Sequence, residues 1–183
     1  AMCACDIGSA YLKAYTKEKL YVIAGPDFKE LEGHTLLVNK ALYGLRTSGA
    51  RWAETLADYL REFGWTQTQI DPAIWIMDKG SHYKYLIAWV DDLLILSQDP
   101  MKTIEYLKKR FQLKGVGRPE YFLGANMRFG EGNKDIFTMG SKKYVQQILK
   151  QFEVIMGYPL PKKYTAPLDA KDHPELDESE LLS

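Results

Sequence analysis

Residues 86–97 read LIAWVDDLLILS, two apolar runs interrupted by Asp91 and Asp92. Each arm has the length and composition of a buried strand. Only the two aspartates separate the arms, so the spacing predicts an antiparallel pair with both acids in or beside a tight hairpin turn. Adjacent side chains of a regular strand point to opposite faces, whereas in a tight turn both can lean to one side. Two ionised carboxylates in such a place repel, and one pKa rises unless a cation neutralises them. Oxygen ligands of this kind suit magnesium, which keeps waters and substrate phosphates as its other ligands. The plainer reading is a pair of turn residues facing water. The apolar arms argue against it, since a surface turn rarely needs them, and a third carboxylate from elsewhere would argue further. Asp6, in the short apolar segment MCACDI, is the candidate. By composition alone it is an ordinary strand-end residue.

Outward from this hairpin the chain alternates strands and helices. MCACDI reads as a strand with no lead-in, which suggests that the fold begins upstream. YVIAG and TLLVNKAL read as strands joined by GPDFKELEGH. Ser48 is a plausible N-cap for a helix carrying Trp52, Leu56, Tyr59, Leu60 and Phe63 on one face, with Gly64 as its stop. AIWIMD and YKYLIAWV read as strands around the turn DKGS. MKTIEYLKKRF reads as a second helix with Ile104, Leu107 and Phe111 facing in. YFLGANMRF and DIFTM read as a hairpin turned by GEGNK. Ser141 is placed to cap a third helix bearing Val145, Ile148, Leu149 and Phe152. From Gly157 onward prolines and acids replace periodic apolar residues, which predicts a linker or peripheral tail. Antiparallel strands with interspersed helices make the expected class α+β.

Bulk properties narrow the field. The 183 residues suit one domain with a small annex, and 46 % apolar content is enough for a core. No apolar run approaches the roughly 18 residues a membrane helix needs, so a soluble chain with no membrane partner is expected. The two cysteines, Cys3 and Cys5, are spaced C-x-C, and the three histidines are scattered. That pattern points away from zinc and toward reduced thiols in an intracellular setting. Net charge is zero, but the stretch from Leu168 to Ser183 holds six acids against one base, leaving 23 bases against 18 acids elsewhere. A mildly basic body is compatible with a nucleic-acid partner.

The segments DIGSAYL, KALYGLRTSGARW, WVDDLLIL, LKKRF and YFLGANM occur in that order. Together they resemble the reverse transcriptase of Copia-type LTR retrotransposons, from about Met2 to Phe152. The resemblance implies a reverse-transcriptase palm over residues 1–130, an antiparallel sheet packed on helices. It implies the beginning of the thumb over 131–156 and an acidic, Pro-containing tail over 157–183. The fingers subdomain would lie upstream, outside this chain, and a ribonuclease H domain downstream, all within one polyprotein. The implied activity is RNA-directed DNA polymerisation on an RNA or DNA template-primer from deoxynucleoside triphosphates. The implied cofactor is a pair of Mg2+ ions, with Mn2+ as a substitute, and the implied setting is the cytoplasmic virus-like particle of the element, or the nucleus.

Residue by residue, the resemblance makes Asp6, Asp91 and Asp92 the catalytic metal ligands, with the backbone carbonyl of Ile7 assisting. Tyr11 becomes the steric gate against a ribose 2′-hydroxyl, although the residues alone read it as a core aromatic. Gly44 becomes the point where backbone approaches template and nucleotide, flanked by Tyr43 and Arg46. Arg46 reads equally well as a solvated first-turn residue. Lys114 is implied near the leaving pyrophosphate, and Phe122, Leu123 and Gly124 form the implied primer grip. Trp89 stands at the usual tyrosine position before Val90, Asp91 and Asp92. The chain departs from the family pattern after LYGL. Where relatives read a basic residue, Gln, Ala or Ser, Pro and Arg, this chain reads Arg46, Thr47, Ser48, Gly49 and Ala50, with Arg51 displaced by one. That change leaves open a domesticated, non-catalytic descendant that binds nucleic acid or protein.

Overall fold

The computed structural model describes residues 1–130 and 136–159. In chain order the elements begin with β1 (Met2–Ile7), β2 (Tyr15–Ile23), β3 (Thr35–Lys40) and α1 (Ser48–Glu62). They continue with β4 (Thr66–Gln67), β5 (Ile74–Asp78), β6 (Tyr83–Trp89), β7 (Asp92–Leu96) and α2 (Met101–Lys108). Next come β8 (Leu113–Gly117), β9 (Tyr121–Phe122), β10 (Ala125–Phe129), β11 (Phe137–Gly140) and α3 (Lys142–Met156). The chain divides at Gly140/Ser141 into two compact units. This is a mixed fold of antiparallel sheets and helices, as expected from the pattern.

In the first unit the central sheet has strand order β4-β5-β6-β7-β1-β8. Its strands alternate. In β1, Cys3, Cys5 and Ile7 are buried on one face while Met2, Ala4 and Asp6 take the other. The Cys3, Cys5 and Ile7 face packs on α1 and α2 through Trp52, Leu56, Leu60, Ile104 and Leu107, and on Phe111 in the segment after α2. The helices are joined to each other by rings. Tyr59 and Tyr106 stack at 4.4 Å and exchange hydroxyl-to-carbonyl hydrogen bonds of 2.8 and 3.3 Å. The opposite face packs a three-stranded sheet, β11-β10-β9, through Phe122 and Met127 against Leu94, Met2 and Ala4. β2 and β3 form a separate two-stranded ribbon.

Several sequence expectations shift in detail. Helix α1 buries Trp52, Leu56, Tyr59 and Leu60 as its period requires, and Gly64 ends it at φ +95. Ser48, however, is the first helical residue and not the cap. It is buried, and its hydroxyl donates to the Leu42 carbonyl at 2.6 Å, closing the loop that precedes the helix. The stretch YFLGANMRF is two strands, because Leu123 (φ 45) and Gly124 (φ 82) make a left-handed two-residue turn inside it. β2 starts at Tyr15, earlier than apolar alternation suggests. β8 was not expected, since LKGVG holds two glycines and no alternation.

In the second unit, α3 follows Ser141 and ends at Gly157. The glycine adopts φ 73 and donates its N–H to the Glu153 carbonyl at 2.9 Å, a left-handed C-terminal cap. Most of the GEGNK turn, the first residue of DIFTM and the acidic tail beyond Pro159 lie outside the described residues.

Candidate active site

The register of the central sheet assembles the site. In the β1–β7 pair Asp6 faces Asp92, in β1–β8 Asp6 faces Lys114, and in β6–β7 Trp89 faces Asp92. Directly opposed residues of antiparallel strands share a face, with Cβ atoms roughly 4.5–5.5 Å apart. Trp89, Asp92, Asp6 and Lys114 therefore form one row across four strands at one end of the sheet. The two carboxylates lie side by side in its middle. They sit on the face that also carries Ala4 and Leu94.

Asp91 belongs to the turn. Val90 and Asp91 are the two hairpin residues and Asp92 is the first residue of β7, so the acids are one in the turn and one beside it. Val90 adopts φ 54, a left-handed conformation that costs a non-glycine residue roughly 1–2 kcal/mol. Two contacts hold the turn. The indole N–H of buried Trp52 donates to the Val90 carbonyl at 2.6 Å, and the Ile7 amide donates to the Asp91 carbonyl at 2.8 Å. The Ile7 side chain is fully buried in the core, so any role of Ile7 at a cation falls to its backbone.

The electrostatics follow the packing. Burial, and then the charges of Asp91 and Asp6, push the Asp92 carboxyl above its ordinary 3.8. Cys5, buried beneath the same end of the sheet, is pushed up to about 12 by burial and then by Cys3, Asp6 and Asp92. Burial is the larger cause in both groups, and the neighbouring carboxylates add to it at Asp92; a cation there would oppose that repulsion. The donor set of carboxylate oxygens fits a hard divalent ion. Among the described residues, however, no group of three or more Asp, Glu, His or Cys side chains is spaced as a ready metal cage. The sheet brings Asp6 and Asp92 together, and Asp91 is the adjoining turn residue, whose charge is felt at Asp92.

The other sequence-predicted residues fall around this pair. Tyr11 opens a 3₁₀ turn (Tyr11–Lys13) just past β1, half-buried, and its ring meets that of exposed Tyr43 with centroids 4.5 Å apart. Partial desolvation and the charges of Asp91, Tyr11 and Asp6 raise the Tyr43 phenol above its ordinary 10. Tyr43 thus lies within electrostatic reach of the acids. Gly44 has φ +91, and a Cβ there would meet nothing within 4 Å, so the glycine serves backbone geometry beside open space. Arg46 is exposed. Arg51, the displaced arginine, is bound to Glu54 at 2.9 Å. Phe122, Leu123 and Gly124 line a cleft of about 310 Å³ whose other walls include Ala4, Asp6, Asp92 and Gly115. The predicted grip and the carboxylate pair thus face one cavity.

One neighbour, Gly8, was not singled out from the sequence. Gly8 makes room for Lys114, since a Cβ at Gly8 would come within 3.3 Å of the lysine Cε and 3.4 Å of the Gln112 carbonyl. Trp89, 58 % exposed, stands beside Asp92. Its position next to the acids was visible, but its place in the row depended on the register.

Comparison with known proteins shows the family. Residues 2–165 match the family described as reverse transcriptase (RNA-dependent DNA polymerase). The chain is similar to the retrovirus-related Pol polyprotein from transposon RE1 of Arabidopsis thaliana, 27 % identical over 85 % of this chain and 11 % of that protein. It is similar to the truncated transposon Ty1-A Gag-Pol polyprotein of Saccharomyces cerevisiae, 31 % identical over 96 % of this chain and 15 % of that protein. It also resembles the Pol polyprotein from transposon TNT 1-94 of Nicotiana tabacum, at 24 % identity over 85 % of this chain. The chain thus spans only 11–15 % of the length of these relatives. With its motifs, its family match and its relatives in agreement, this chain belongs to the reverse transcriptase family of Copia-type LTR retrotransposons.

Proposed function

We propose that this chain is the palm region, with the first helix of the thumb, of an RNA-directed DNA polymerase carried in a retrotransposon Pol polyprotein. The observation that carries the reading is the pairing of Asp6 with Asp92 across β1 and β7, beside a turn bearing Asp91. In the proposed reaction a primer 3′-hydroxyl attacks the α-phosphorus of a deoxynucleoside triphosphate and pyrophosphate leaves. Bound divalent cations supply charge neutralisation and activation of the attacking oxygen. Asp6, Asp92 and Asp91 would hold them.

The chain's own residues would do the positioning. Tyr11, at the end of β1 and braced by Tyr43, is placed to exclude a 2′-hydroxyl. Gly44 leaves open space for template or base. Lys114, lying over Gly8 in the same row as Asp6, is placed to meet departing phosphate charge. Leu123 and Gly124, across the cleft from the acids, would seat the primer end. Such catalysis is mostly orientation and electrostatic stabilisation, with little covalent work for the protein.

The loop after Gly44 favours a second reading, a non-catalytic binder of nucleic acid or protein. Its displaced arginine, Arg51, is engaged with Glu54. One assay separates the two. Template-primed nucleotide incorporation by the full parent polyprotein is expected in the wild type and should fall by several powers of ten in Asp91→Asn. A folded, inactive wild type would favour the binder, and equal activity in the variant would remove Asp91 from the mechanism.

A further inference from the structure

The loop between β3 and α1 is two successive tight turns. Leu42 to Leu45 form the first, with the Leu45 N–H on the Leu42 carbonyl at 3.2 Å and Gly44 at φ +91 in its third position. Leu45 to Ser48 form the second, closed by the Ser48 N–H on the Leu45 carbonyl at 3.2 Å. Both bonds sit at the long end of the usual range. The short bond is the Ser48 hydroxyl on the Leu42 carbonyl, at 2.6 Å, and it spans both turns. Ser48 is 2 % exposed, so water does not compete for that bond. Tyr43 stands at the apex of the first turn. It is 64 % exposed, and its one ring partner among the described residues is Tyr11. An exposed side chain with so little around it takes its place from the backbone that carries it. On its other side the Tyr11 hydroxyl lies 3.8 Å from where a Gly49 Cβ would be, one residue past Ser48.

We infer that Ser48 is a positioning residue for sugar selection. Its hydroxyl anchors the Leu42 carbonyl, the turn on that carbonyl sets Tyr43, and Tyr43 braces the Tyr11 ring against which a ribose 2′-hydroxyl would collide. Ser48 is buried, so it acts through the two tyrosines and not on the substrate. Gly49, the next residue, brings no stiffness of its own to the start of α1, which leaves more of the loop's order to the hydroxyl bond. A gate excludes one extra oxygen only if it stays in place, and a misplacement of about 1 Å can change a rate by about a hundredfold. The inference rests on the polymerase reading above and adds to it the contact from which the selectivity comes.

The test compares kcat/KM for a deoxynucleoside triphosphate and for its ribonucleotide in template-primed incorporation by the full parent polyprotein. Ser48→Ala should lower the ratio of the two about tenfold. A general loss of stability lowers both constants alike and leaves the ratio where it was. Tyr43→Ala, at an exposed residue with little risk to folding, should lower the ratio by a similar factor, and Ser48→Ala should add nothing in that background. Thr47→Ala, which removes a neighbouring hydroxyl that caps no backbone N–H, should leave the ratio unchanged. In the 183-residue chain, nuclear Overhauser contacts between the Tyr11 and Tyr43 rings should weaken in Ser48→Ala. An unchanged ratio in Ser48→Ala, or independent effects of the two substitutions, overturns the inference and leaves the polymerase reading standing. So does an unchanged ratio in Tyr43→Ala, the arm that decides if Ser48→Ala does not fold. Unchanged ring contacts in a folded Ser48→Ala chain overturn the positioning role whether or not the parent polymerises. A wild type that incorporates neither nucleotide removes the polymerase reading, and the sugar role with it.

Discussion

Two hairpin turns flank the carboxylate cleft, and they are built in opposite ways. The β9–β10 turn, Leu123–Gly124, places both residues at positive φ and uses a glycine for one of them. The β6–β7 turn, Val90–Asp91, has no glycine. It puts a β-branched residue at φ 54 and holds it with the Trp52 indole on one carbonyl and the Ile7 amide on the next. The first turn takes its shape from its own residues. The second is imposed by its surroundings. Strain of this kind persists only where the neighbouring structure over-determines it, and such places cluster at functional sites. A turn held from outside can fix where Asp91 and Asp92 stand, whereas a glycine there would let the acids wander.

The most severe break in this contrast is removal of the clamp. Trp52→Phe deletes the indole donor and part of a buried ring, and it should cost about 2 kcal/mol by denaturant unfolding. Hydrogen exchange at the Ile7 amide, which bonds to the Asp91 carbonyl, should accelerate while exchange around Ala125 stays unchanged. Equal acceleration at both turns would show that the clamp is not local.

Glycine substitution sharpens the comparison with a smaller effect. Val90→Gly and Leu123→Gly each relieve left-handed strain of roughly 1–2 kcal/mol and each pay part of it back in backbone entropy, leaving a net gain of about 0.5 kcal/mol. The two should differ in function. Val90→Gly should weaken divalent-cation affinity several-fold in a calorimetric titration, and Leu123→Gly should leave it unaltered. A loss of stability above about 1 kcal/mol in either variant would contradict the strain reading.

The smallest expected effect is on pH. Asp92 is raised above its ordinary 3.8 in the folded chain, so between that value and its folded pKa the native state binds more protons than the unfolded one. Stability should therefore fall as pH rises from about 4 through the folded pKa, then level off. Asp92→Asn should flatten that decline, and a saturating divalent cation, by competing with the proton, should offset it. Thermal melts at graded pH check both statements. A decline of the same size in Asp92→Asn would assign it to another group.

How much of this was legible in the sequence depends on which interactions set each feature. Helix α1 could be read because Trp52, Leu56 and Leu60 follow its own period and Gly64 ends it. The acidic hairpin could be placed because its apolar arms bracket it, although Val-Asp is not a turn signature. Its position was read from what surrounds it, which is also what holds it. The pairing of Asp6 with Asp92 could not be derived from β1 alone, since register is a property of two strands; the residues offered Asp6 only as a candidate third carboxylate, and the resemblance made it a metal ligand. β8 was hidden because Gly115 and Gly117 erase alternation, and with it went the view of Lys114 beside Asp6. The Ser48 hydroxyl looked like a helix cap and instead closes the loop back to Leu42, a contact that no local pattern announces.

The central claim is that Asp6 and Asp92, neighbours across two strands, form with Asp91 the seat of a divalent cation. Manganese titration followed by paramagnetic broadening of backbone amides tests it directly, with no need for polymerase activity. The account predicts saturable broadening centred on Asp6, Asp91 and Asp92, reaching Lys114 and Leu123 more weakly, and abolished by Asp6→Asn. Broadening that is diffuse, centred on another cluster of acids, or unchanged in a folded Asp6→Asn chain would contradict it.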